Sequence, residues 1–211
     1  MKDAAVNYYL GLDLGQAQDY TALAILERHG WDERSIFHVR HLLRYPLRTP
    51  YPAIVADVMA TLTREPLRMK VTTLAIDATG VGAPVVDLFR RQPMTAGLRP
   101  IMITGGDAVT SEGGITRVPK RELVSIVQVC LQTARLKIAP DLKEAATLTS
   151  ELQNFQVKIT DNAHDTYGAW REGTHDDLVL AVALALWEGV RQIPFQSAVA
   201  GSRIFQRFEM I

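Results

Sequence analysis

The chain has 211 residues, 47% of them apolar, with 23 basic and 23 acidic side chains. That length suits one domain with a sizeable core, and the balanced charge leaves no global basic field, so any nucleic-acid partner has to be held by a local patch. The single cysteine, Cys130, excludes an internal disulfide and a Cys-rich zinc site. The N-terminus has no long apolar stretch of signal type, and the longest apolar run, Leu178 to Trp187, is too short to span a bilayer. An intracellular, cytoplasmic setting away from membranes is expected.

Three aliphatic and aromatic segments, Tyr8–Leu14, Thr21–Arg28 and Ser35–Leu43, are separated by GQAQDY and HGWDE, which carry turn residues. Three successive strands on short links predict an antiparallel meander. Ile54, Val55, Val58, Met59 and Leu62 then recur at helical spacing within Pro52–Thr63. VTTLAID reads as a short strand, GVGAPVVDLFRR as a glycine turn running into a helix, and LRPIMIT as another strand. This order after a meander implies an α/β fold with a central mixed sheet, parallel strands joined to the meander, and helices on both faces.

Thr104–Val118 holds four glycines and no period; such a stretch inside a domain is functional, a hairpin or disordered. Pro119 suits a first helical turn, and Leu123, Val127, Cys130, Leu131 and Ala134 share one face of the helix that follows, which places Cys130 in the core. DLKEAATLTSELQNF reads as a helix opened by a capping box of Asp141 and Glu144. FQVKIT and TYGAWR read as a hairpin around DNAHD, and THDDLVLAVALALWEGVRQ as a helix apolar nearly all round, hence buried. Periodicity is lost after Pro194. One domain is expected over residues 1–193, followed by a flexible or partner-binding tail over 194–211.

Four acids do not fit a fold-only reading. Asp13 interrupts the apolar run YLGLDLG. Period two puts Tyr9, Gly11, Asp13 and Gly15 on one strand face and Leu10, Leu12 and Leu14 on the other. A buried carboxylate is costly unless something repays its desolvation, and strand glycines mark the close approach of a ligand or another backbone. Gly11 and Gly15 then read as clearance for a ligand at Asp13; the alternative is a strand-end Asp bonding nearby backbone N–H groups. Asp77 ends TTLAID directly before ATGVG and a helix, the place where α/β sheets collect ligands; it also reads as a turn or cap residue. TGVG is a weak phosphate-cradle signal, and no G-x-x-x-x-G-K-[ST] occurs, which argues against a self-contained P-loop ATPase. Asp176 and Asp177 in THDD fit a capping box and the helix dipole. Capping needs only one acid, however, and His175 with two aspartates is more polar than a buried helix start requires.

Acids at the end of a first strand, at the end of a later parallel strand and at the start of a late helix can converge at one sheet edge. Crowded carboxylates repel one another and lose hydration. Hard divalent cations relieve that cost, and Mg²⁺ or Mn²⁺ prefers oxygen ligands. A pair of ions roughly 3.5–4 Å apart supports in-line displacement at phosphorus.

On GLDLGQAQDYTALAIL, LAIDATGVGAPVVDLF and REGTHDDLVLAVALALW, in that order and spacing, the chain resembles the ribonuclease H-like superfamily and, more narrowly, the nuclease domain of bacteriophage large terminase subunits. The resemblance covers roughly residues 7–191. It implies a metal-dependent endodeoxyribonuclease that cuts concatemeric phage DNA during packaging with two Mg²⁺ or Mn²⁺ ions. It also implies double-stranded DNA, a packaging ATPase motor, a portal and a small terminase subunit as partners. Asp13 matches the first-strand metal ligand, Asp77 the second acid, and Asp177 the third, with Asp176 auxiliary. Asp19 matches a recurring position of the motif and reads as a turn residue near the site; His175 reads either as a residue behind the ligands or as a polar helix-start residue. Arg44, Arg48, Arg117, Lys120 and Arg121 are candidate DNA contacts, with a solvated helix end as the alternative for Lys120 and Arg121. The family's ATPase motor has no counterpart in this sequence. A Holliday-junction resolvase of the same superfamily is the second reading, and an actin-like or sugar-kinase-like ATP binder the third, disfavoured because such folds need a second similar domain.

Overall fold

Strands rich in β-branched and aromatic side chains stay extended and pair where turn residues allow it. In the computed structural model, which describes residues 6–15, 18–161 and 175–192, β1 (Val6–Asp13), β2 (Ala22–His29) and β3 (Ile36–Arg44) form the expected meander. Their antiparallel register runs from Val6 opposite His29 to Asp13 opposite Ala22. After α1 (Tyr51–Leu62), β4 (Thr72–Asp77) adds parallel to β1, and after α2 (Gly82–Arg90), β5 (Gly97–Thr104) adds parallel to β4.

The glycine-rich segment resolves into a hairpin of β6 (Thr110–Glu112) and β7 (Ile115–Pro119). Gly113 and Gly114 turn it at φ +59° and +78°, values that side chains resist and two-residue hairpin turns need. Then come α3 (Lys120–Gln132), β8 (Leu136–Ile138), α4 (Ala145–Asp161) and α5 (Asp177–Arg191). The eight strands lie in the order β6-β7-β5-β4-β1-β2-β3-β8.

Side chains alternate along β1 as period two requires. Leu10, Leu12 and Leu14 join Leu74, Ile76 and the buried residues of α1 and α2 on one face. Tyr9 faces the other way, into a core shared with α3 and α5 that also takes in Cys130. Every residue of α5 from Asp177 to Gly189 is buried. Burying a Leu or Val contributes about 1.5–3 kcal/mol, so the run from Leu178 to Leu186 readily offsets the cost of one buried acid at the helix start.

Two local expectations are corrected. Phe155–Thr160 continues α4 rather than starting a strand; TYGAWR lies outside the described residues, as does the tail 194–211. Asp141 and Glu144 make no capping box: α4 starts at Ala145, and the Glu144 carboxylate accepts a hydrogen bond from the Thr147 hydroxyl at 3.0 Å. Strand β8 has too few residues to show a period and had no separate signal. Among the described residues no helix is long and apolar enough to cross a membrane.

Candidate active site

Parallel pairing of β1 with β4 sets Leu12 against Ile76. The next residue on each strand is an aspartate, so the sheet itself carries Asp13 and Asp77 to one edge side by side. Packing of α5 across β1 and β2 brings Asp177, its first residue, to the same edge with Asp176 just before it. Asp13, Asp77 and Asp177 are all buried. The Asp77 carboxylate accepts the Thr79 N–H at 2.8 Å, and Asp176 takes the Lys120 ammonium at 3.2 Å.

The electrostatics record the crowding. Burial pushes the Asp13 carboxyl well above the ordinary carboxylate range, and the charges of Asp77, Asp177 and Asp176 push it further; Lys120 opposes them. Burial raises Asp77 as well, against its bonds to Thr79 and the Lys120 charge. Asp177 is pushed up to about 6 by burial, with Asp176 and Asp19 adding to the rise and Arg44 and His175 opposing it. One oxygen of Asp177, Oδ2, is buried without a hydrogen-bond partner.

The N-terminus of α5 is capped in a way the sequence did not reveal. Asp176 is the N-cap residue, yet its side chain makes no capping bond. Glu151 of α4 does so instead: its Oε2 accepts the N–H groups of Leu178 and Val179 at 3.0 and 3.1 Å. Its other oxygen pairs with the Arg44 guanidinium. Burial pushes Glu151 up to about 7 despite these partners. A signal for Glu151 existed, since it falls three residues after fully buried Leu148 on the helix face that meets the core. With the cap supplied from elsewhere, Asp176 and Asp177 are left to face the site.

The other candidates separate by placement. Arg44, at the end of β3, is not on an open surface; its guanidinium spans Glu151 and Asp177, 3.4 Å from Asp177 Oδ2, with the Tyr20 ring 4.7 Å away. His175 stands edge-on to Tyr20 with its Nδ1 3.8 Å from Asp177 Oδ2. Asp19 is exposed in the turn after β1. Arg48 is exposed at φ +64° and lines a cleft of about 230 Å³ with Gly15, Asp19 and Tyr51. Arg117 is paired with Glu112 at 3.0 Å and Arg121 with Asp107 at 2.6 Å.

The glycines near the acids serve packing rather than ligand clearance. A β-carbon on Gly11 would meet the Ala181 carbonyl of α5, and one on Gly15 the backbone of Asp19 and Tyr20. Gly82 of TGVG lies equally close to the Asp77 carbonyl. Each lets two backbones touch.

The donor set at this edge is all carboxylate oxygen, as a hard divalent cation requires, and the unpartnered Asp177 Oδ2 is a buried acceptor such an ion would satisfy. Among the described residues no three His, Cys, Asp or Glu side chains already stand in ion-holding geometry. The acids converge without closing into a cage.

A family model described as "Terminase RNaseH-like domain" matches residues 10–188. The large terminase nuclease from thermophilic phage G20c is similar in structure, with 21% identity, a TM-score of 0.57, and coverage of 85% of this chain and 81% of that one. The nuclease domain of the P22 large terminase has 13% identity, a TM-score of 0.53, and coverage of 92% and 89%. The human cytomegalovirus terminase nuclease domain, in a Mn-soaked crystal, has 15% identity, a TM-score of 0.52, and coverage of 86% and 81%. No curated protein matches. At these identities the likeness is one of fold, and it agrees with the mixed sheet and helix placement described above.

Proposed function

The chain belongs to the terminase RNase H-like domain family, and from that premise we propose that it is a metal-dependent DNA endonuclease that cuts concatemeric viral DNA during packaging. The observation that carries this reading is the convergence of Asp13, Asp77, Asp177 and Asp176 at one edge of the sheet, with the Asp13 carboxyl pushed up by burial and further by its three neighbours. A fold gains nothing from buried mutual repulsion. A site that receives two Mg²⁺ or Mn²⁺ ions does.

In this reading Asp13, Asp77 and Asp177 hold the ions, and Asp176 assists. When bound, the ions supply an activated water and charge stabilisation at the leaving 3′ oxygen. The chain's own residues do the rest. The two strand ends fix the spacing of Asp13 and Asp77, and the cap on α5 fixes Asp177. Lys120, already among the acids, contributes a cation to the non-bridging oxygens of the scissile phosphate. Equal numbers of acidic and basic residues imply weak intrinsic hold on DNA. A packaging ATPase, a portal and a small terminase subunit would deliver the double-stranded substrate.

Plasmid nicking tests the reading. The chain nicks and degrades supercoiled plasmid with Mn²⁺ or Mg²⁺, and chelator stops it. Retained activity in Asp13→Ala and Asp77→Ala would refute the assignment.

A further inference from the structure

Arg44 sits where a cation is a liability. It is a permanent charge half-buried beside Asp177, and it competes there with any ion the acid is meant to bind. The geometry shows how that competition is contained. One terminal nitrogen of Arg44, Nη2, serves two carboxylates unequally: it pairs closely with Glu151 and stays 3.4 Å from Asp177 Oδ2. That longer approach makes no hydrogen bond, because Asp177 Oδ2 is buried and unpartnered; Arg44 Nε is likewise buried without a partner. Arg44 and Asp177 thus stand at ion-pair distance but short of a hydrogen bond.

Glu151 takes the closer share of the guanidinium. Only 6% exposed, it is fixed at its other oxygen by the N–H groups of Leu178 and Val179, so it cannot follow Arg44 toward the site. Burial in a low-dielectric surround strengthens the Arg44–Glu151 attraction, and the Tyr20 ring restricts the guanidinium from a second side.

We infer that Glu151 is a positioning residue that sequesters Arg44 and so keeps Asp177 open for a divalent cation. The inference rests on the proposed metal site. It differs from a simple capping role because it assigns separate work to the two oxygens: Oε2 anchors the start of α5, and Oε1 restrains Arg44.

Glu151→Gln separates the two tasks. The amide oxygen still accepts from the helix N–H groups, while the NH₂ group repels Arg44 and releases it onto Asp177. Mn²⁺ titration of the full chain without DNA, followed by calorimetry, then shows roughly tenfold weaker binding, the size of one ion pair tightening to hydrogen-bond distance in a partly screened site. Adding Arg44→Met to that variant removes the competitor and returns the affinity to near wild type. Unchanged affinity in Glu151→Gln overturns the inference, and so does a double variant that stays weak. Should Glu151→Gln fail to fold, Arg44→Met alone decides: it binds Mn²⁺ no less tightly than wild type, and weaker binding overturns the inference. A wild-type chain that takes up no Mn²⁺ refutes the metal reading itself, and this one with it.

Discussion

Gly11 on β1 lies directly beneath the Ala181 carbonyl of α5: a β-carbon added to Gly11 would stand 1.9 Å from that oxygen. Both partners are backbone, one in a central strand and one in a helix buried from Asp177 to Gly189, so neither can yield cheaply. Gly11→Ala therefore forces α5 off the sheet and destabilises the protein by about 3 kcal/mol or more. Gly97→Ala is the control, because its added β-carbon meets nothing closer than 3.9 Å. Urea melts of the two variants show a large loss for the first and little change for the second.

That contact also marks the limit of what the sequence discloses. Alternation along YLGLDLG correctly divided β1 between two cores, and the three motifs were enough to place four acids at one edge. The glycines beside Asp13 announced a close approach, but a period cannot say whether helix backbone or ligand makes it. Glu151 escaped for a related reason. Its role depends on α4 crossing the start of α5, a contact between residues 27 positions apart that the local capping pattern of THDD does not disclose. Arg44 carried no sign that its charge was committed inward, since an Arg at a strand end looks the same whether it faces solvent or a buried acid.

The crowded acids predict opposite effects on activity and on stability. Asp13→Asn removes a buried carboxylate held against three like charges, so the metal-free protein melts higher than wild type at pH 8. The same change removes a ligand and lowers Mn²⁺-dependent nicking by about a hundredfold or more. Asp77→Asn loses activity to a similar extent with a smaller gain in stability, because its carboxylate has the Thr79 N–H bond to lose. A fall in both readouts for Asp13→Asn would mean that the carboxylate serves the fold.

Stability without metal falls as the pH rises through the carboxylate range. Glu151 is raised from 4.5 to about 7 and Asp177 from 3.8 to about 6. Below the lower value of each pair, folded and unfolded chains are both protonated and the contribution is fully present. As the pH climbs, the unfolded chain releases its proton first, and the folded state loses ground until its own raised pKa is passed. For Glu151 the loss is on the order of 3 kcal/mol. Melts in chelator at pH 5 and pH 8 show the lower midpoint at pH 8, and Glu151→Gln flattens the difference. Mn²⁺ raises the midpoint more at pH 8 than at pH 5, since protons compete with the ion for the same oxygens.

The basic residues divide into those already committed and those that reach the acids. Arg117 and Arg121 hold Glu112 and Asp107, so a phosphate that took either guanidinium would leave an acid behind. Exposed pairs of this kind contribute about 0–1 kcal/mol, and their net charge is nil, so Arg117→Ala and Arg121→Ala change nicking by less than about threefold. Lys120 differs. Its ammonium, 3.2 Å from Asp176, also counters the raised pKa of both Asp13 and Asp77, which puts it among the groups a scissile phosphate must meet. Lys120→Ala therefore lowers nicking by about tenfold or more, as expected for loss of a charge-assisted contact, while Mn²⁺ binding is unchanged or tighter because a competing cation has gone. Weaker Mn²⁺ binding in that variant would instead make Lys120 a support for the acids, and its contribution to the phosphate would fall away.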